Sequence, residues 1–336
     1  MVTTRPKVTI YDVAAQAGVS ISTVSLAFNN PGRVRPETLH RVLAVAEELG
    51  FRRRDEAVSR AKRSHSRVGV LAPFTSYSSF ALRLNGVLSG FARSTTDVIV
   101  YDHDSAAASM SPLLASLPLS GLLDGLIIMG LPVADEVGER LARQRLSVVL
   151  VEAERRDFSS VCVDNSGGGG TVARHLLAKG HRRFAYLGEE QVSHQYRSPS
   201  EERYEGFAAE LRSAGVADAD IARRTVAHSV ESAARATLEL LDLPRPPTAV
   251  FAYDDALASG VLRAAARRGL TVPGDIAVVG FDDLDLAEAL GLTTVRVPFA
   301  ESGSVAAELL ANQVQHPEHS ARQISLQLTL VERESA

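Results

Sequence analysis

The strongest constraint on the fold is an alternation of short apolar runs with helical segments after residue 67. Runs such as VGVLAP and SVVLVE lie at 68–73, 97–102, 124–130, 147–152, 161–165, 183–188, 248–253, 277–283 and 293–297. Segments with helical periodicity lie between most of them, at 134–145, 168–179, 201–214, 231–242, 256–268 and 299–314. Strands that alternate with helices predict parallel sheets covered on both faces. The series is long enough for two such sheets, over about 68–163 and 165–290.

Length and composition indicate a multidomain cytoplasmic protein. The chain has 336 residues, of which 45% are hydrophobic, and this is too long for one ordinary domain. Its single cysteine, Cys162, excludes an internal disulfide and fits a reducing compartment. No apolar run has membrane-spanning length, and the N-terminus lacks the apolar segment of a secretory signal. We therefore expect a cytoplasmic location and no membrane partner.

The charge is divided unequally along the chain. The formal net charge is −4, which taken alone argues against a nucleic-acid partner. Residues 1–67 hold 12 lysines and arginines against 6 acidic residues, so this segment carries +6 and the remainder −10. A small basic head on a large acidic body is typical of a DNA-binding module joined to a domain that does not bind DNA. Scattered solvated charge is the alternative explanation.

The head contains the pattern of three short helices. Residues 8–29, VTIYDVAAQAGVSISTVSLAFN, form two helical runs separated by a glycine, each too short to be stable alone. Thr9 can cap the first run, Gly18 can end it, and Ser20 can cap the second. A third helix begins at Pro36 and presents an apolar face to the others. The pattern predicts a helix-turn-helix module.

Exposed side chains near the start of the second helix are candidates for DNA contacts. Small hydroxyl residues at a helix N-terminus suit phosphate oxygens, and the first exposed side chains reach base edges in the major groove. Each hydroxyl taken alone is equally well explained as a cap or a solvent-facing group. The candidates in the head are Thr9, Ser20, Ile21, Ser22, Thr23, Ser25, Leu26 and Asn29.

The motifs together resemble one known family. VTIYDVAAQAGVSISTVSLAFNNPGRVRPETLHRVLAVAEELGF resembles the headpiece of the lactose-repressor (LacI/GalR) family. The body resembles that family at VDNSGGGGTVARHLLAKGHRRFAYLG (163–188), ERYEGF (202–207), FAYDDALASGVLRAAARRGLTVPGDIAVVGFDD (251–283) and TTVRVP (293–298). The resemblance implies a homodimeric transcription regulator. It also implies an all-α helix-turn-helix headpiece and a periplasmic-binding-protein-like α/β core of two doubly wound parallel-sheet subdomains.

The resemblance also implies the domain boundaries. We expect the headpiece at 1–52, a hinge or linker at 53–66 and an effector-binding core at 67–336. The chain is expected to cross between the subdomains near residues 164, 291 and 323. This gives an N-subdomain of 67–163 and 292–323 and a C-subdomain of 165–291 and 324–336. The basic segment 52–67 is either a solvated linker or an arm along the DNA.

Two residues depart from the family pattern in the DNA-binding part. The sixth residue of the recognition helix is often an arginine that contacts guanine, but here it is Leu26, which can only make apolar contacts such as that with a thymine methyl group. At the hinge position where the family inserts a leucine into the minor groove, this chain has Arg60, unless the register differs by one and Ala61 lies there. An arginine favours a narrow minor groove over a kinked one.

The resemblance places the effector contacts on polar residues that follow strands. The implied contacts are Asp164, Arg203, Asp254 and Asp282, and the aromatic residues Phe74, Tyr77 and Phe80 add a stacking wall. Carboxylates accept hydrogen bonds from adjacent hydroxyls and a guanidinium donates a fixed fork, so the set suits a sugar or other polyol. Alternatively, Tyr77 and Phe80 pack into the first helix of the core and Arg203 forms a structural ion pair. Because the family includes purine binders, a nucleobase is the second choice of ligand.

The same residues argue against an enzyme. VDNSGGGGT (163–171) lacks the lysine and hydroxyl residue of a Walker motif, and its glycines are interpreted as a close helix–strand turn. No metal-ligand spacing, nucleophile elbow or cofactor motif is found, so we expect no metal and no cofactor. We predict a ligand-responsive repressor that binds a pseudo-palindromic operator as a dimer. The alternatives are a solute-binding protein without specific DNA binding and a sugar-modifying enzyme such as a kinase.

Overall fold

The computed structural model describes residues 8–29, 33–49, 51, 65–103, 105, 123–143, 146–191 and 197–336. The head contains three helices, α1 (Ile10–Ala17), α2 (Ile21–Asn29) and α3 (Pro36–Glu48). Gly18 ends α1 in the left-handed conformation, with φ at 65°, where the absence of a side chain costs least. The helices share a core that includes Val13, Val24, Ala27 and Val42. This is the predicted helix-turn-helix module.

The body alternates strands and helices as the sequence predicts. Its strands are β1 (Ser66–Ala72), β2 (Thr96–Asp102), β3 (Gly125–Met129), β4 (Ser147–Val151), β5 (Ser159–Val163), β6 (Phe184–Glu189), β7 (Ile221–Val226), β8 (Ala249–Ala252), β9 (Ala277–Val279), β10 (Thr294–Arg296), β11 (Gln323–Leu326) and β12 (Thr329–Val331). Its α-helices are α4 (Ser79–Phe91), α5 (Asp135–Arg143), α6 (Asn165–Ala178), α7 (Pro199–Ser213), α8 (Val230–Leu241), α9 (Asp255–Arg267), α10 (Asp285–Ala289) and α11 (Phe299–Gln315).

The N-lobe, which comprises β1 to β5, α4 and α5 together with α11 and β11 from the C-terminal part of the chain, is built on a six-stranded parallel sheet in the order β11-β5-β4-β3-β1-β2. Consecutive residues of a strand point to opposite faces. Val70, Ile127 and Val149 therefore pack on one face with residues of α4 and α11. Their neighbours Leu71, Ile128 and Leu150 pack on the other face with Leu141 of α5. Burial of both faces explains why these strands are continuous apolar runs.

The second half, the C-lobe, has a four-stranded parallel sheet in the order β7-β6-β8-β9. Phe184, Tyr186 and Phe251 pack with residues of α6 and α7 on one face. Ala185, Leu187 and Val250 pack with residues of α8 and α9 on the other. Helices thus cover both faces of both sheets, and the predicted fold class is confirmed.

The chain crosses between the lobes at three places, two of which differ from the prediction. The first crossing lies between β5 and α6, at residue 164. The second follows β10, because Thr293 and Arg296 form bridges with Val279 and Asp282 of the C-lobe. It therefore lies near residue 298 and not at 291. The third lies after β11, which pairs with β5 of the N-lobe, so the predicted boundary at 323 is three residues early.

Candidate ligand-binding cavity and DNA-binding helices

A cavity of about 230 Å³ is lined by residues of both lobes. Many of its polar lining residues follow the carboxyl ends of parallel strands, which is the usual ligand position in open α/β sheets. Glu152 follows β4 of the N-lobe. In the C-lobe, Glu189 ends β6, Asp254 follows β8 and Asp282 follows β9. The cavity is therefore a cleft between two sheet edges.

The N-lobe wall is formed around a buried ion pair. Arg83 of α4 is 3% exposed and donates a hydrogen bond from Nη2 to Oε1 of Glu152 at 2.7 Å. Its guanidinium carbon lies 4.3 Å from the ring centroid of Phe299 and 5.0 Å from that of Phe80. The Nε atom of Arg83 is buried and has no hydrogen-bond partner among the described residues. Flat aromatic faces thus hold a cation at this wall.

The C-lobe wall is formed around a second buried arginine. Arg203 of α7 donates to Asn165 Oδ1 at 3.0 Å and to the carbonyl oxygen of Tyr253 at 2.6 Å. Its Nη2 lies 3.4 Å from Oδ1 of Asp282. Burial raises the pKa of Asp282 to about 7, although the Arg203 charge opposes this rise. The wall therefore offers a fixed donor group beside a carboxylate that titrates near neutral pH.

A hydrogen bond between two described residues joins the lobes across the cavity. Tyr77 of the N-lobe donates from its hydroxyl to Oε1 of Glu189 in the C-lobe at 2.6 Å. The ring of Tyr77 also contacts the ring of His228, with centroids 5.1 Å apart. His228 pairs with Asp254. Burial lowers the pKa of His228, but the carboxylates of Asp254, Glu189 and Asp282 together more than offset this effect and the net shift is upward.

The structure brings five of the seven predicted effector residues to this cavity: Tyr77, Phe80, Arg203, Asp254 and Asp282. Phe80 and Tyr77 also pack on the N-lobe core, and Arg203 also pairs with Asp282, so these residues have structural contacts as well as a place in the cavity lining. The other two predicted residues lie outside the cavity lining. The Asp164 carboxylate accepts from the amide of Gly167 at 2.7 Å and caps α6. Phe74 is half-buried against the N-lobe core.

The two acidic residues that follow β8 have different roles. Asp254 caps α9, because its carboxylate accepts from the amide of Leu257 at 2.8 Å. Asp255 is fully buried and accepts from Thr294 Oγ1 at 2.6 Å and from the amide of Leu284 at 2.9 Å. Burial raises its pKa to about 8. Asp255 therefore belongs to the core of the C-lobe.

The head exposes the face of α2 that was predicted to contact DNA. Ile21 and Leu26 are 42% and 36% exposed. Ser22 is exposed, whereas Thr23 and Ser25 are half-buried. The exposed face is thus partly apolar and lies at the start of the second helix.

Two of the predicted DNA contacts also serve as helix caps. The Ser20 hydroxyl accepts from the amide of Thr23 at 3.1 Å, which caps α2. Asp12 accepts from the amide and the hydroxyl of Thr9, both at 2.7 Å, at the start of α1. The side chain of Asn29, Arg60 and most of the basic segment 52–67 lie outside the described residues.

The comparisons with known proteins match both parts of this architecture. Residues 9–54 match the model of the bacterial regulatory proteins of the lacI family, and residues 173–336 match the periplasmic binding protein-like domain. The HTH-type transcriptional repressor CytR of Escherichia coli K12 is 31% identical over 318 residues, which cover 91% of this chain and 90% of CytR. The chain belongs to the LacI family. The predicted resemblance is confirmed, and the chain is a regulatory protein rather than an enzyme.

Two solved LacI-type structures share the fold of this LacI-family chain. A LacI family transcriptional regulator from Enterococcus faecium with bound ribose has a TM-score of 0.70 and 27% identity, over 81% of this chain and 98% of the other. The complex of the transcriptional regulator CelR with cellobiose has a TM-score of 0.67 and 26% identity, over 99% of this chain and 100% of the other. Each of these two related proteins holds a sugar in its structure.

Several charged residues of the cavity were missed by the sequence analysis. Glu152 and Glu189 each come directly at the end of an apolar run, and that position was a sufficient signal for both. His228 follows β7, a strand that was itself not predicted. Arg83 had no such signal, because it lies within the helical segment SFALRLNGVLSGF and its partner is 69 residues away.

The glycines of VDNSGGGGT have a different role from the predicted helix–strand turn. They lie inside α6, and a Cβ atom on Gly169 would lie 2.0 Å from the carbonyl oxygen of Arg203 in α7. The N-lobe has the same arrangement, since a Cβ atom on Gly303 of α11 would lie 1.9 Å from the carbonyl oxygen of Arg83. In each lobe, a glycine thus allows a neighbouring helix to pass close to the residue that supplies the cavity arginine.

Among the described residues, a group of possible metal ligands lies at the end of α11. The side chains of His316, Glu318 and His319, all exposed, bring possible ligand atoms within 4.8 Å of one another. This group was not predicted from the sequence and lies apart from the cavity lining. Within the described ranges, none of the helices combines the length and apolar character that crossing a membrane requires.

Proposed function

We propose that this chain is a ligand-responsive repressor that binds operator DNA as a homodimer and whose DNA affinity changes when a sugar or related polyol occupies the cavity. The observation that carries the proposal is a polar cavity with walls from two lobes, in the same chain as a helix-turn-helix head. A ligand that contacts both walls binds one arrangement of the lobes more tightly than another. That difference in affinity is what shifts a conformational equilibrium.

The chemistry of the walls supports a polyol as the effector. The carboxylates of Asp254 and Asp282 suit adjacent hydroxyl groups, and Arg203 donates to ring or hydroxyl oxygens. Tyr77 and Phe80 offer aromatic faces on which a sugar ring can stack. The sugars in the two related structures, ribose and cellobiose, support this class. A nucleobase is the second candidate.

On the DNA side, the proposal places the two copies of α2 in successive major grooves of a pseudo-palindrome. Ile21, Ser22 and Leu26 contact base edges, and the hydroxyl residues around them contact phosphates. Arg60 of each hinge lies at the central minor groove. The protein acts in the cytoplasm, where the operator DNA is accessible.

The test is a selection of bound duplexes from a random DNA pool by the purified full-length protein, repeated with a panel of sugars and nucleobases. The expected result is an enriched palindrome that is lost or gained when one compound is added. No enrichment at a salt concentration that suppresses non-specific binding would contradict the proposal. Tight binding of a sugar without any enriched sequence would favour the solute-binding alternative.

A further inference from the structure

The charges around the cavity do not balance. Three ion pairs account for six of the charged lining residues: Arg83 with Glu152, Arg203 with Asp282 and His228 with Asp254. The remaining charged residue of the described lining is Glu189. When all seven groups are ionised, the cavity therefore carries one surplus negative charge, and Glu189 is the carboxylate without a cation of its own.

The contacts of Glu189 do not neutralise this charge. Its side chain accepts a hydrogen bond from the Tyr77 hydroxyl at 2.6 Å, and Tyr77 is a neutral donor. Among the described residues, no lysine or arginine nitrogen forms an ion pair with it. Burial raises its pKa and outweighs the opposing effects of the Tyr77 hydrogen bond and of the His228 and Arg203 charges, which are paired with Asp254 and Asp282.

An unpaired carboxylate at a half-buried site is costly unless a bound molecule supplies donors. Hydroxyl and ammonium groups can donate to the Glu189 carboxylate. A phosphate or a carboxylate on the ligand can only repel it, and this repulsion is stronger in a cleft than in water because the effective dielectric constant is lower. Where Asp282 is ionised, above about pH 7, the two guanidinium groups do not compensate, since Glu152 and Asp282 face them.

We infer that Glu189 determines the charge class of the effector, because it admits neutral and amino sugars and excludes phosphorylated and acidic sugars. This inference rests on the proposed function, since it concerns the ligand of the same cavity. It makes Glu189 a specificity-determining residue that contacts the effector.

The experiment measures the binding of matched sugars to the full-length protein by thermal shift and calorimetry at constant ionic strength. The probes are ribose with ribose 5-phosphate, glucose with glucosamine, gluconate and glucose 6-phosphate, and inorganic phosphate. In the unmodified protein, we expect the sugars that bind to be neutral or amino sugars. The affinity for the matched anionic sugar should be at least about tenfold lower, which corresponds to one partly screened charge contact. We expect no stabilisation by inorganic phosphate.

The variant Glu189→Gln keeps the size of the side chain and removes the surplus charge. It should reduce the discrimination against the anionic partner by about tenfold. Glu190→Gln is the matched control, because Glu190 is the exposed neighbour outside the cavity lining, and it should leave the discrimination unchanged.

Two outcomes would overturn the inference. The first is tighter binding of a phosphorylated or acidic sugar than of its neutral parent in the unmodified protein. The second is stabilisation of the protein by inorganic phosphate that Arg83→Met abolishes. This result would overturn the inference even if none of the sugars binds. Neither measurement involves DNA. Failure to select a palindrome would therefore overturn the proposed function separately.

Discussion

Replacing Gly169 by alanine tests whether close helix packing holds Arg203 at the cavity. The new Cβ atom would lie 2.0 Å from the Arg203 carbonyl oxygen and 2.9 Å from its carbonyl carbon. Real Cβ atoms do not approach within 3.0 Å of another atom, so the backbone of α7 has to move by roughly 1 Å. The obstacle is backbone and not the end of a flexible side chain. Rotamer changes therefore cannot relieve the clash.

The expected cost follows from two opposing effects. Overpacking of this kind costs up to about 3 kcal/mol. Alanine is favoured over glycine inside a helix by about 1 kcal/mol. We therefore expect Gly169→Ala to lower the free energy of unfolding by about 2 kcal/mol. Because the displaced carbonyl belongs to Arg203, its side chain should also lose alignment with Asn165 and Asp282, and the affinity for the effector should fall.

The neighbouring glycine provides the control on the same helix. A Cβ atom on Gly170 would lie 3.4 Å from Nη1 of Arg174, which is ordinary contact with a flexible side chain. Gly170→Ala should therefore be neutral or stabilising by up to about 1 kcal/mol. Urea unfolding followed by circular dichroism measures both variants, and calorimetry measures effector binding. Equal stability of the two variants would refute the packing argument.

Two further predictions concern the head and the core. Leu26→Arg should gain a preference for guanine worth about 1–3 kcal/mol at one position of each half-site, because a guanidinium makes the bidentate contact that leucine cannot. The measurement is the selection of bound duplexes from a random DNA pool. An unchanged preference at every position would show that Leu26 does not face the bases. Burial raises the pKa of Asp255 from 3.8 to about 8, so the folded state holds this proton more tightly than the unfolded state and the free energy of unfolding falls as the pH rises through that interval. Asp255→Asn should remove this contribution, and a difference in stability from the unmodified protein that is constant between pH 4 and pH 8 would contradict it.

The fold was largely predictable because both faces of each sheet are buried. All nine predicted apolar runs contain strands, and the signal is strongest for the central parallel strands, which need apolar residues on both sides. The strands β7, β11 and β12 were missed. Of these, β7 lies at the edge of its sheet and carries the polar sequence IARRTV. One of its arginines, Arg223, pairs with Glu201 instead of packing in a core. Edge strands of this kind lack the periodic signal on which the prediction depends.

At several strand ends, the sequence predicted the position of a cavity residue only to within one residue. Asp164 and Asn165 are neighbours, but the first caps α6 while the second holds Arg203. Asp254 and Asp255 divide the roles of cap and core residue in the same way. Where a helix begins directly after a strand, the role of each residue depends on the geometry of the first turn. Sequence spacing alone does not determine that geometry.

The three crossings between the lobes restrict how a ligand can move them. Only residues 327 and 328 separate β11 from β12, and only residue 164 separates β5 from α6. A connection from residue 326 to residue 329 spans about 10 Å at most, so the lobes cannot slide far apart. Rotation about the crossings is the motion that remains. When one lobe rotates about an axis through the three connections, each atom moves in proportion to its distance from that axis. A small closing rotation at the cavity therefore produces the largest displacements at the surfaces farthest from the connections.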